Sequence, residues 1–193
     1  MKIVIPLLAL AVALPAAAQT HPSPPSPPGA HAGAAGSAAI SGLKMPWAHV
    51  KDVVIRAAEK MPEENYAFKP TPEVRSFGQL VGHVADANFM FAAMALGEKG
   101  EPRDIEKTKT SKADLVAALK ESFAACDKVF GETEAQLSTA TKLFGHETNR
   151  FGVVGLLIGH DYEHYGNMVT YLRMKGLVPP SSEPRHEAPV PPK

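Results

Sequence analysis

The sequence has a single cysteine, Cys126, so no internal disulfide can staple the fold and a hydrophobic core must hold it. It has no excess of charge: 20 Lys and Arg balance 20 Asp and Glu. That excludes both the basic footprint of a nucleic-acid binder and the acidic composition of a disordered chain. It lacks an apolar run long enough to span a bilayer, which takes about 20 residues. It also lacks any segment alternating with period two for long enough to make a good strand. Proline is scarce in the middle of the chain, because most of the 18 prolines lie before Trp47 or after Val178. What remains is helical material.

The ends read differently. Lys2 gives a positive start, Ile3 to Ala13 is apolar, and Ala16-Ala17-Ala18 offers a small-x-small cleavage site before Gln19. This predicts a signal peptide over 1–18 and a periplasmic or secreted bacterial protein with no stable membrane insertion after cleavage, an uncleaved N-terminal anchor being the alternative. Residues 19–44, rich in Pro, Gly and Ala, are expected to form a disordered tether, and 183–193 a disordered tail.

Between them, 45–182 predicts four amphipathic helices. The first begins at Pro46 and runs to about Lys60, with Trp47, Val50, Val54, Ala57 and Met61 on one stripe. Tyr66 and Phe68 are expected to anchor the loop that follows. The second helix starts at an S-x-x-Q capping box, Ser76 to Gln79, and stops at Gly97. A long polar link, Gly97 to Thr110, leads to a third helix from about Ser111 to Leu137. Its inward face, Leu115, Leu119, Phe123 and Phe130, carries Cys126, which favours a buried thiol over the alternative of a nucleophile. After a loop through Phe144-Gly145-His146, the fourth helix runs from near Thr148 or Asn149 to Lys175, with Gly176 as a left-handed cap. Together these make an all-α four-helix bundle.

Of the eight histidines, His21, His31, His49 and His186 fall in the ends or off the apolar stripe. His160 and His164 sit at the centre of the stripe formed by Val153, Leu156, Leu157, Met168 and Tyr171, about 6 Å apart along the axis. His83 lies beside Leu80, Ala87 and Met94 and also faces inward. Three neutral rings buried together leave polar nitrogens to satisfy, and one divalent ion would take a nitrogen from each. Spacing alone leaves a hydrogen-bonded core histidine as the alternative, since H-x-x-x-H on a helix is common by chance. Gly152, Gly155, Gly159 and Gly166 on the same helix call for a reason, either a close neighbouring helix or room for a ligand.

Several segments together resemble the DinB superfamily, which includes the YfiT-like thiol transferases. They are Pro62-Glu63-Glu64-Asn65-Tyr66-Ala67-Phe68-Lys69-Pro70, Arg75-Ser76-Phe77 leading to His83, and His160-Asp161-Tyr162-Glu163-His164-Tyr165-Gly166-Asn167. Tyr171-Leu172-Arg173, Gly176 and Pro179-Pro180 close the match, which covers about Trp47 to Ser182. Tyr165 stands where many members carry Arg. The resemblance implies an up-down-down-up bundle with a long link between helices 2 and 3. It also implies one divalent metal ion, zinc or nickel, on His83, His160 and His164.

Such a site suits a metal-dependent transferase or hydrolase acting on a small molecule through an open coordination position. The alternative is a non-catalytic metal-binding bundle that recognises a ligand or partner. Pairing of two copies is left open, and no nucleic-acid partner is expected. Asp86, Glu163 and Asn167 are the candidates to orient a ligand ring, Asp86 and Glu163 competing with a reading as solvated surface carboxylates. His146 is a loop histidine that could approach, and no general base is assigned. Proton competition for the metal is expected across the ordinary histidine range, about pH 6 to 7.

Overall fold

The structure is a computed structural model that describes residues 32–184, with side chains from residue 39 onward. The signal peptide expected over 1–18, residues 19–31 of the expected tether and residues 185–193 of the expected tail lie outside the described residues.

Four long helices form the bundle: α1 (Ala32–Lys60), α2 (Phe77–Leu96), α4 (Lys112–Asp127) and α6 (Arg150–Met174). Two single-turn helices, α3 (Ile105–Thr108) and α5 (Glu134–Leu137), sit in the links. Contacts fix the directions. Trp47 Nε1 donates to Asp127 and Lys112 Nζ reaches the Met61 carbonyl, so α1 and α4 run antiparallel. Asn88 meets Ser122 and Cys126, while Gly78 lies against Leu115, so α2 and α4 run parallel. Arg150 bonds the Leu96 carbonyl and Tyr171 that of Arg75, so α6 runs antiparallel to α2. The course is up-down-down-up, as the resemblance implied.

The core is the sum of four stripes. Val50, Val54, Ala57 and Met61 meet Phe77, Val84 and Phe91 of α2, Leu119 and Phe123 of α4, and Leu157, Met168 and Leu172 of α6. Tyr66 anchors the α1–α2 loop as expected: its ring packs edge-on against Phe77 and its hydroxyl donates to the Ala58 carbonyl. Cys126 is buried and its thiol donates to the Asn88 carbonyl, and burial pushes its pKa far above the usual thiol range. Among the described residues no helix is long and apolar enough to cross a membrane.

Several expectations are corrected. The first helix begins at Ala32, so residues 32–44 are helical and Pro46 lies inside α1. Five alanines favour the helix there, while Gly33, Gly36 and Gly42 oppose it, and the start signal at Pro46 does not prevail. Glu183, expected in the tail, pairs with Arg56 and Lys60 of α1. The third helix is not continuous to Leu137. It ends at Asp127, passes through a 3-10 turn at Lys128–Gly131, and α5 restarts at a second capping box, Thr133 to Gln136. The loop before α6 is a β-hairpin, β1 (Ala140–Leu143) with β2 (His146–Asn149), joined by Phe144 and Gly145. Both turn residues have positive φ, as a two-residue turn matching strand twist requires.

The glycines of α6 also correct the sequence reading. Gly155, Gly159 and Gly166 are exposed, and a Cβ at any of them would meet nothing within 4 Å. No helix or site crowds them. Converting all three to alanine should therefore raise the unfolding free energy by about 2–3 kcal/mol, from about 0.8–1.0 each. Urea unfolding at matched metal content reads this directly. No gain, or a loss, would show that these positions meet something in the native protein.

Candidate metal centre

The antiparallel packing of α2 and α6 brings His83 opposite His160 and His164. His160 Nε2 lies 3.3 Å from His83 Nε2 and 3.0 Å from His164 Nε2. One ligand atom from each residue lies within 4.8 Å of the other two, so the three side chains could hold one ion. Phe91 packs edge-on against His160 and closes the inner side.

The donor set fits a metal on chemical grounds. A neutral imidazole has one N–H, so with that proton on Nδ1 each of the three Nε2 atoms turned to a common point offers a lone pair, and one cation could take all three. Two nitrogens held about 2.0–2.1 Å from one tetrahedral ion would lie about 3.3–3.4 Å apart, close to the separations seen. The far nitrogens of two rings are also engaged. His83 Nδ1 lies 3.3 Å from Glu106 Oε2, and His164 Nδ1 lies 3.3 Å from the Asn167 amide. With Nδ1 carrying the proton, the amide oxygen is the partner that Asn167 must turn towards it. His160 Nδ1 is buried without a hydrogen-bond partner among the described residues.

Burial is the main cause that keeps the rings neutral. It pushes His160 down to about 3, helped by His164, His83 and Arg75, and His164 down to about 4, helped by His83 and Arg75. His83 is also lowered, by burial and then Arg75, with Glu106 opposing. His160 and His164 are therefore available as ligands well below the range in which an ordinary histidine takes a proton, and His83 is shifted the same way.

A cavity of about 780 Å³ opens beside His164. Lys69, Arg75, Glu106, Asn167 and Tyr171 contribute to its wall. The other helpers considered from sequence fall out as follows. Asn167 touches His164 as expected. Glu163 is exposed and acts on His164 only through its charge. His146 is exposed in β2 and lies outside the histidine group. Asp86 is not a solvated carboxylate, because it accepts the backbone N–H groups of Ile105 and Glu106, each at 2.9 Å. Glu106 went unnoticed in the sequence, since nothing in its polar link marks a residue that folds back onto α2. Tyr165 is buried and its hydroxyl accepts from the Ser181 N–H, away from the histidines.

The sequence pattern of the DinB superfamily matches residues 47–168, a stretch that contains all three histidines. The chain belongs to the DinB superfamily. Solved structures agree on the DinB fold. A DinB-like protein from Bacillus cereus is 19% identical, with a TM-score of 0.64, covering 73% of this chain and 95% of that one. A DinB-like protein from Bacillus subtilis is 23% identical, with a TM-score of 0.59, covering 76% and 99%. No curated protein matches in sequence.

Proposed function

We propose that this DinB protein binds one divalent ion, zinc or nickel, on His83, His160 and His164, and acts on a small molecule as a metal-dependent transferase or hydrolase. One observation carries the reading: three imidazoles converge, and one of them, His164, lines an open cavity. When bound, such an ion polarises a substrate oxygen or lowers the pKa of a water or thiol.

The chain's own residues supply orientation. Arg75 sits on the cavity wall, its Nε bonded to Glu106 and its carbonyl to the Tyr171 hydroxyl. Its positive charge reaches all three histidines. This fixed charge favours a substrate with an anionic group. Cys126 takes no part, because its thiol is buried in the core and held protonated.

A non-catalytic bundle would need no free coordination position, and that separates the two readings. Cobalt-loaded protein should change its visible spectrum when a small thiol is added. An unchanged spectrum at saturating thiol would mean a closed site and would favour the binding module.

We extend the proposal to location, on the strength of Lys2, the apolar run Ile3 to Ala13 and the alanines before Gln19. The mature chain should begin near Gln19 and be found outside the cytoplasm. N-terminal sequencing of fractionated cells that returned an intact Met1 from the cytosol would sink this part.

A further inference from the structure

Glu106 occupies an unusual position for a residue in a polar link. Asp86, one turn after His83 on the same face of α2, clamps the backbone N–H groups of Ile105 and Glu106 with its two carboxylate oxygens. Gly82 lets the segment approach: a Cβ there would lie 2.7 Å from Glu106 Cα and 2.9 Å from Glu106 N. The backbone of α3 is thus pressed onto α2 immediately beside His83. The Glu106 side chain is then held from both sides. Oε1 accepts from Arg75 Nε at 2.9 Å, and Oε2 lies 3.3 Å from His83 Nδ1.

We propose that Glu106 is a positioning residue for His83: clamped by Asp86 and steered by Arg75, it accepts the Nδ1 proton and so commits Nε2 to the metal. The inference rests on the metal-binding reading above. Metal-ligating histidines generally donate their second N–H to a carboxylate or carbonyl, which fixes the tautomer and raises ligand basicity. His83 most needs such help, because it reaches the site alone from α2 while His160 and His164 share a helix. The Asp86 clamp also explains why α3 forms where the sequence offers only a short polar stretch.

The test uses the full mature chain and zinc. Glu106→Ala should weaken zinc affinity about 10–100-fold, the usual cost of removing such a partner, while leaving the melting temperature of the metal-free protein unchanged. In zinc-loaded protein with nitrogen-labelled histidines, the His83 Nδ1–H signal should be lost to exchange in the variant. The His164 signal, partnered by Asn167, should remain. Unchanged zinc affinity overturns the inference. So does a variant that loses both histidine signals together with stability when metal-free, because Glu106 would then be a packing residue. Failure of the wild-type chain to bind zinc would instead count against the metal-binding reading itself.

Discussion

His160→Ala should strip nearly all metal from the protein. His160 is the middle member of the cluster, with its Nε2 within 3.3 Å of both other rings. Four-ligand structural zinc sites bind with about 10–16 kcal/mol, so one ligand carries roughly 2.5–4 kcal/mol. Its loss lowers affinity by about 100-fold or more. The fold should survive. His160 is not one of the large, fully buried side chains of the core, and its removal takes away a buried Nδ1 that has no hydrogen-bond partner among the described residues. The metal-free variant should therefore melt within a few degrees of the metal-free parent. His146→Ala, an exposed change in β2, should keep its full metal content. Stoichiometric metal in the His160→Ala protein would show that the ligands are wrongly assigned.

Chelation should lower the melting temperature without unfolding the protein at room temperature. Phe77, Phe91, Phe123, Leu157 and Leu172, all nearly inaccessible to solvent, make one core that does not depend on the ion. The ion adds a term set by mass action, about 2.7 kcal/mol at a free concentration 100 times its dissociation constant. For a domain of this size that is roughly 5–11 °C. Complete loss of helicity on chelation would make the ion a structural keystone and would weaken the enzyme reading.

The pH dependence of that metal increment departs from the sequence expectation. A histidine whose folded pKa is depressed contributes stability that is present above its unfolded value, about 6.5, and is lost as pH falls through the folded value. For His160 and His164 the folded values are about 3 and about 4. Metal-free protein should thus lose stability below about pH 6.5, as the unfolded chain takes up protons that the folded site refuses. His160 and His164, still neutral, should stay available to the metal from pH 7 to pH 5. The difference in melting temperature between loaded and metal-free protein should therefore persist below the ordinary histidine range and be lost towards pH 4. A difference that vanished between pH 7 and 6 would mean the rings are more solvated than the structure has them.

Local signals proved the most legible. The Ser76–Gln79 capping box is realised in both its hydrogen bonds, and Gly97 and Gly176 both take positive φ at helix ends. These depend on neighbours a few residues away, which is what a sequence displays. The inward faces of α2 and α6 follow from 3.6-residue periodicity, except that Leu156, expected on the stripe, is exposed, and their packing brings His83 to His160 and His164. The hairpin escaped notice because each strand has only four residues and Phe144 is an uncommon residue for a left-handed turn position. Glu106 escaped because its place depends on Asp86 reaching across 20 residues to its backbone. No periodicity encodes that contact. Asp161 is similar: it is wholly inside, with neither oxygen partnered among the described residues, and burial raises its pKa well above the usual carboxylate range. A helical wheel gives no warning of so costly a position.

The most direct test of the central claim is elemental analysis of the protein purified without a metal-affinity tag, alongside the triple variant His83→Ala/His160→Ala/His164→Ala. The account predicts close to one equivalent of a single divalent metal in the parent and none in the variant. A parent that holds no metal after exposure to zinc and nickel, or a variant that holds as much as the parent, would contradict it.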